Sequence, residues 1–167
     1  MASPIASERA ILALCNSRQF DEAFRVAQSF PKEYSRHYYV AEVIYHYVLS
    51  DNWDFEKVMN YAIQIPIRES NPLFATLREN TFGSIAIAIV AQERFSWIQL
   101  FDAKQTGIRF DSEVSGHSGS ADLHQALAQH ISKYLREGRT DIARTIIDHL
   151  RGTTANVEKL EAMLRKA

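Results

Sequence analysis

The chain has 167 residues, 46% of them apolar and 11% aromatic, with 23% charged and only 6 Gly and 4 Pro. That is the make-up of a globular domain able to remove roughly 70% of its unfolded surface from water without a disulfide or a metal. One cysteine, Cys15, excludes an internal disulfide, and 19 basic against 20 acidic side chains argue against a broad phosphate-binding surface while leaving room for a local patch. Ser3, Pro4, Ser7, Glu8 and Arg9 interrupt the first residues, so no secretory leader is expected. The longest apolar run, Ile85 to Ala91, covers seven residues, where a bilayer-spanning helix needs about 20. The expectation is a protein outside membranes, in a reducing compartment such as the cytoplasm; leaderless export would leave the same signature.

Apolar residues recur at three- and four-residue spacing, and Gly and Pro fall between the periodic stretches. The pattern predicts helices near Ile5 to Asn16, Phe20 to Phe30, Tyr34 to Ser50 and Asp54 to Ile65. Further helices are predicted near Pro72 to Gln92, Ser96 to Thr106, Ala121 to Glu137, Asp141 to Arg151 and Ala155 to Arg165. Asn71 before Pro72 offers an N-cap acceptor and a pre-set φ, while Ser120 with Asp122 offers a cap and a carboxylate at a helix start. Gly107, Gly138 and Gly152 stand where helices should stop. Ile85 to Val90 alternates large and small side chains and fits a strand as well as a helix. Leu73, Leu77, Asn80 and Phe82 extend the helical pattern upstream, so helix is preferred. The segment Ser115 to Ser120 reads as a mobile linker, with a binding or lid loop as its functional alternative.

Sliding the chain along itself exposes a repeat. Phe20, Ala23, Phe24, Ala27, Phe30 and Pro31 align with Phe55, Val58, Met59, Ala62, Ile65 and Pro66, each 35 positions on. Degenerate copies start at Phe95, with Ile98 and Phe101, and at Thr140, with Ala143, Ile147 and Leu150; their offsets stretch to 40 and 45. A helical repeat of this period implies stacked hairpins, because one hairpin cannot bury its own apolar face. The aromatic after the turn, the small residue three positions on and the closing Pro resemble the tetratricopeptide repeat. The resemblance implies an all-α, right-handed solenoid of about nine helices forming one domain. Its hairpins would cover residues 5–31, 34–66, 72–106 and 120–151, with 155–165 as a terminal cap. Pro is absent from the third and fourth copies, and His46 stands near the small residue expected in one first helix.

Chemistry-bearing patterns are sparse. No glycine fingerprint or phosphate loop occurs. His124 and His130 are six residues apart, which turns them to different faces of a helix and disfavours a metal pair. Asp148 and His149 are sequence neighbours and point apart. Carboxylate pairs would have to be assembled from Glu42, Glu79 and Asp102 on different helices. No catalytic residue, cofactor or metal is expected. The most unusual composition is Tyr34, Tyr38, Tyr39, Tyr45 and Tyr47 with Arg36, His37 and His46, types that anchor interfaces or line a thin core. Tyr38 and Tyr45 are expected in the core.

In the resembling family the first helix of each hairpin lines the concave face. Carried onto this sequence, the stripe holds Arg36, Val40, Val43 and Tyr47, then Thr76, Asn80, Gly83 and Ile87, then Gln125, Ala128 and Ser132. The resemblance thus implies an adaptor, scaffold or chaperone that holds a peptide segment of another protein. An RNA-binding helical repeat and a helical-repeat enzyme acting on a macromolecule are the competing readings; the balanced charge weighs against nucleic acid. Ile5, Ile11, Leu12 and Leu14 at an uncapped solenoid end suggest a homodimer.

Overall fold

The computed structural model describes residues 4–153 and 156–167, so Ala155, expected to start the terminal helix, lies outside the described residues. Two compact units divide the chain, Met1–Thr81 and Phe82–Ala167. Among the described residues there are nine helices and one two-stranded hairpin, so the fold is mostly helical rather than all-α.

The first unit contains α1 (Pro4–Asn16), α2 (Phe20–Gln28), α3 (Glu33–Val48) and α4 (Phe55–Ala62). A single 3-10 turn, Pro72–Phe74, leads into α5 (Ala75–Ala91), and the division between units falls inside that helix. Helix α1 packs on α2 and on α3, α2 packs on α3, and α3 packs on α4. Ala41, Ile65, Phe74 and Leu77 close the core of this unit.

The 35-residue repeat is a repeat of burial. Ala23, Phe24 and Ala27 on α2 are fully buried, and so are their counterparts Val58, Met59 and Ala62 on α4. Those triplets put the apolar positions on one side of each short helix, and the acidic first turns, Asp21 and Glu22 against Glu56, meet the positive end of the helix dipole. In the second unit the same positions recur: Ile98 and Phe101 on α6 (Trp97–Ala103), and Ala143, Ile147 and Leu150 on α8 (Thr140–Leu150), are all fully buried.

Each of three helix ends is closed by the same turn. Arg18, Glu93 and Gly138 adopt left-handed φ values of 59, 58 and 73°. At the first, the N–H of Arg18 reaches the Cys15 carbonyl at 3.0 Å and the N–H of Gln19 reaches Leu14 at 2.8 Å. Glu93 and Arg94 bond Val90 and Ile89 in the same way, and Gly138 and Arg139 bond Leu135 and Tyr134. Such paired bonds satisfy the last carbonyls of a helix and reverse the chain. The reversal falls two residues ahead of Phe20, Phe95 and Thr140, the starts of the first, third and fourth sequence copies. Before Phe55 the device differs. There the Tyr47 hydroxyl accepts the Asp54 N–H at 3.0 Å, and the Asp54 carboxylate accepts the Lys57 N–H at 2.8 Å.

The second unit continues α5 and adds α6, β1 (Glu113–Gly116), β2 (Gly119–Asp122), α7 (Leu123–Arg136), α8 and α9 (Val157–Arg165). Helices α7, α8 and α9 pack on one another, and α6 packs on α8. Ile85 to Val90 lie within α5, with Ile85, Ala86 and Ile89 fully buried, so the helical expectation holds over the strand. The whole segment Pro72–Ala91 has the length and hydropathy of a membrane span, more than the seven-residue run suggested, and 67% of its apolar window is buried within the protein.

The segment read as a linker is ordered. Strands β1 and β2 pair antiparallel with Val114 opposite Ala121 and Gly116 opposite Gly119, and the buried Val114 anchors them. Asp122, not Ser120, caps α7, its carboxylate accepting the Gln125 N–H at 3.0 Å. The other expected cap holds: Asn71 accepts the Leu73 N–H at 3.2 Å. Gly107 and Gly152 also have positive φ where helices were expected to stop.

Candidate functional site

The stripe expected on α3 points differently from the sequence reading. Val43 is fully buried and Val40 and Tyr47 nearly so, whereas Tyr38, expected in the core, is 39% exposed and Tyr45 is half-buried. The helix makes contacts on several sides, with α1, α2 and α4, so a seven-residue Tyr spacing did not identify its inner face. Two members of the stripe, Arg36 and Val40, nevertheless line a cavity of about 240 Å³ with Gln28, His37, Tyr61 and Gln64. Tyr47 lines a second cavity of about 330 Å³ with Arg18, Phe20, Asp21 and Lys57 among its neighbours.

The walls of the first cavity are fixed by contacts outside it. The Arg36 guanidinium donates to the carbonyls of Phe30 at 3.0 Å and Pro31 at 2.8 Å, tying α3 to the end of the preceding hairpin. Tyr61 stacks on Phe24 with ring centres 3.9 Å apart, and the Gln64 amide donates to the Asn60 carbonyl at 2.9 Å. His37 sits edge-on to Phe74 at 5.1 Å. Burial holds the His37 imidazole below its usual pKa, with Glu33 acting in the opposite sense. The cavity is lined by two amides, a phenol, an imidazole, a guanidinium and a valine, with no carboxylate among the lining residues. Sequence reading had grouped His37 with the aromatic cluster but missed Gln28, Tyr61 and Gln64. These lie on or beside the short second helices, which a first-helix stripe does not sample.

The second cavity is crossed by charge pairing. Lys57 Nζ lies 2.7 Å from Asp21 Oδ1 and 5.9 Å above the Tyr47 ring, so aspartate and aromatic face already share the ammonium.

Elsewhere on the expected stripe, Thr76 is exposed and Asn80 half-buried in the first unit. In the second, the stripe on α5 is covered at Gly83. A Cβ on Gly83 would stand 1.9 Å from the Ser115 carbonyl oxygen, and one on Gly116 would stand 2.9 Å from Ser84 Oγ and 3.0 Å from Ile87 Cδ1. The β1–β2 hairpin thus covers Gly83, which is buried, and touches Ile87, which stays half-buried. Gln125 is exposed on α7, Ala128 and Ser132 half-buried.

Two polar constellations emerge that the sequence did not announce. Ser84 Oγ accepts the His117 N–H at 2.9 Å and lies 3.1 Å from His117 Nδ1. A serine beside an imidazole suggests a nucleophile, but this hydroxyl is buried and engaged by the main chain, so the pair fastens the hairpin to α5. The other gathers on Glu93. Its Oε1 accepts the Tyr134 hydroxyl at 2.6 Å, lies 3.0 Å from His130 Nδ1 and 3.8 Å from Lys133 Nζ. The Tyr134 hydrogen bond first, then His130 and Lys133, hold the Glu93 carboxyl below its usual pKa against partial burial. Tyr134 and His130 stand four apart on α7, a spacing visible in sequence; Glu93, 37 residues from His130, was not.

Among the described residues no group of three or more His, Cys, Asp or Glu could hold a metal ion. No family model, curated protein or solved structure matches the chain.

Proposed function

We propose that this chain is a non-catalytic protein-interaction module, a scaffold, adaptor or chaperone, built from tetratricopeptide-like hairpins stacked as a solenoid. Support for the hairpin stack comes from the matched burial on α2 and α4, from the recurring left-handed turn, and from α1 packing on both α2 and α3. The observation that carries the binding reading is the cavity of about 240 Å³ between α2, α3 and α4. An extended peptide presents alternating N–H and C=O groups. Primary amides such as those of Gln28 and Gln64 meet both kinds, because each has a donor and an acceptor end. Val40 and the face of Tyr61 supply apolar contact, and the hydrogen bonds of Arg36 and the stacking of Tyr61 on Phe24 reduce the ordering cost of binding. With one guanidinium and no carboxylate in the lining, the cavity favours neutral or acidic segments.

The test is to pan a displayed peptide library against the purified chain and measure the selected peptides by fluorescence polarisation. The double variant Gln28→Ala/Gln64→Ala should weaken binding by about tenfold or more with unchanged thermal unfolding, since both side chains are exposed. A library that yields no binders, or binders indifferent to that variant and to Val40→Lys, would remove the reading.

A further inference from the structure

Arg36 and His37, neighbours on α3, both line the cavity between α2, α3 and α4. A guanidinium is a permanent cation, whereas an imidazole takes or releases a proton near neutral pH. The cavity therefore holds one fixed charge and one adjustable one.

The fixed charge is not cancelled. Both Arg36 hydrogen bonds leave from Nη1 and end on the neutral carbonyls of Phe30 and Pro31, and no carboxylate lines the cavity. The adjustable group has a carboxylate only at a distance. His37 Nε2 stands 4.0 Å from Glu33 Oε1, beyond hydrogen-bond reach, and the Glu33 side chain is 58% exposed. An ion pair so open to water is heavily screened. Burial acts most on the imidazole and opposes its proton; Glu33 favours the proton, and Arg36 opposes it. The other elements bring uncharged groups. Gln28 comes from α2, the Tyr61 phenol from α4, Gln64 from just beyond it, and the Phe74 ring from the 3-10 turn. Helix α1 supplies no lining residue and no charge that acts on the ring. Protonating His37 thus sets a second cation beside Arg36, and a carboxylate arriving inside the cavity would face both.

Resting on the peptide-binding reading above, we infer that the segment held here carries an aspartate or glutamate side chain and is gripped more tightly as His37 gains a proton. The linkage is reciprocal: a carboxylate that favours the protonated ring raises its proton affinity by the same factor that the proton raises binding. The sign follows from the fold. Because the imidazole titrates below its ordinary value of 6.5, the extra grip is absent well above that pH and develops as pH falls through the ring's titration. Side-chain carboxylates, with ordinary values of about 4, remain ionised over that range.

The test is to pan the displayed library in parallel at pH 7.5 and pH 5.5, then to synthesise selected peptides with amidated C-termini, so that only side chains carry carboxylates. The pool from the lower pH should be enriched in Asp and Glu. By fluorescence polarisation an acidic peptide should bind about threefold or more tightly at the lower pH, and its Asn or Gln counterpart should not. His37→Gln should remove that difference. In the unaltered chain, the His37 ring resonances followed by NMR should titrate at higher pH with the acidic peptide bound, and not with its amide counterpart. Binders of equal composition at both pH values, or a His37 titration indifferent to the acidic peptide, would overturn the inference and leave the peptide-binding reading standing. An acid preference that persists in His37→Gln would also overturn it, by assigning the effect to other histidines. A library without binders at either pH would remove both.

Discussion

Glu93 combines two conditions that normally oppose each other. Its left-handed backbone costs a non-glycine residue about 1–2 kcal/mol, while its carboxylate accepts a short hydrogen bond from Tyr134, of a class contributing about 1.5–3 kcal/mol. The side chain therefore holds a turn that its own backbone resists. Tyr134→Phe should lower stability near neutral pH by about 2 kcal/mol in urea unfolding. The pH dependence has a definite sign. Because the folded carboxyl titrates below its ordinary value of 4.5, its contribution is complete above that value and is lost as pH falls through the folded pKa. Tyr134→Phe should flatten this acid limb; an unchanged slope would show that the hydrogen bond is not what lowers the pKa. Arg18 has the same backbone without such a clasp. Arg18→Gly is expected to raise stability by up to about 1 kcal/mol, and Gly138→Ala to lower it by about 1 kcal/mol, both by urea unfolding.

At the scale of elements, the hairpin and α5 are joined where neither has side-chain bulk to spare. Gly83 admits the Ser115 carbonyl, and Ser84 takes up the His117 N–H. Gly83→Ala should cost about 3 kcal/mol or more, because the new carbon meets backbone rather than a movable side chain. Ser84→Ala should cost about 1–3 kcal/mol by stranding that N–H. Hydrogen exchange provides the check: residues 113–122 should lose protection in either variant while α1 to α4 keep theirs. Equal loss across α6 to α9 would mean that the hairpin and its unit open together, and equal loss in α1 to α4 as well would overturn the local reading. This junction also explains why a stripe drawn along α5 took in Gly83, a position that is covered. Gly83 is small because another strand of backbone approaches it, and sequence spacing carries no sign of that approach.

At the scale of the whole chain, helix positions were largely legible because Gly, Pro and apolar spacing are local signals. Ala23, Val58, Ile98 and Ala143 were recognised as corresponding positions, and all four are fully buried. Which face of a first helix opens to solvent was less legible. It depends on neighbours contributed by distant residues, as the buried Val43 and exposed Tyr38 illustrate. The hairpin was missed because Gly116, Ser118 and Gly119 have loop composition, and only pairing with β2 and the cover of α5 order them. Of the cavity between α2, α3 and α4, Arg36 and Val40 were chosen in advance, while the amides that give it hydrogen-bonding character were not. The repeat makes a prediction at this scale. Ala27→Val and Ala62→Val should each cost about 1–3 kcal/mol in urea unfolding, with similar values, because both methyls meet equally closed surroundings. A large disparity would show that the copies share spacing without sharing packing.

Cys15 stands almost wholly out of solvent on α1, its thiol pushed up to about 11 by burial and then by Glu42. Since the thiolate is the form that attacks, a disulfide reagent can release its coloured thiolate only as fast as that helix breathes open. The unaltered polypeptide thus carries its own stopwatch for local opening, readable in a cuvette without an isotope or an engineered label.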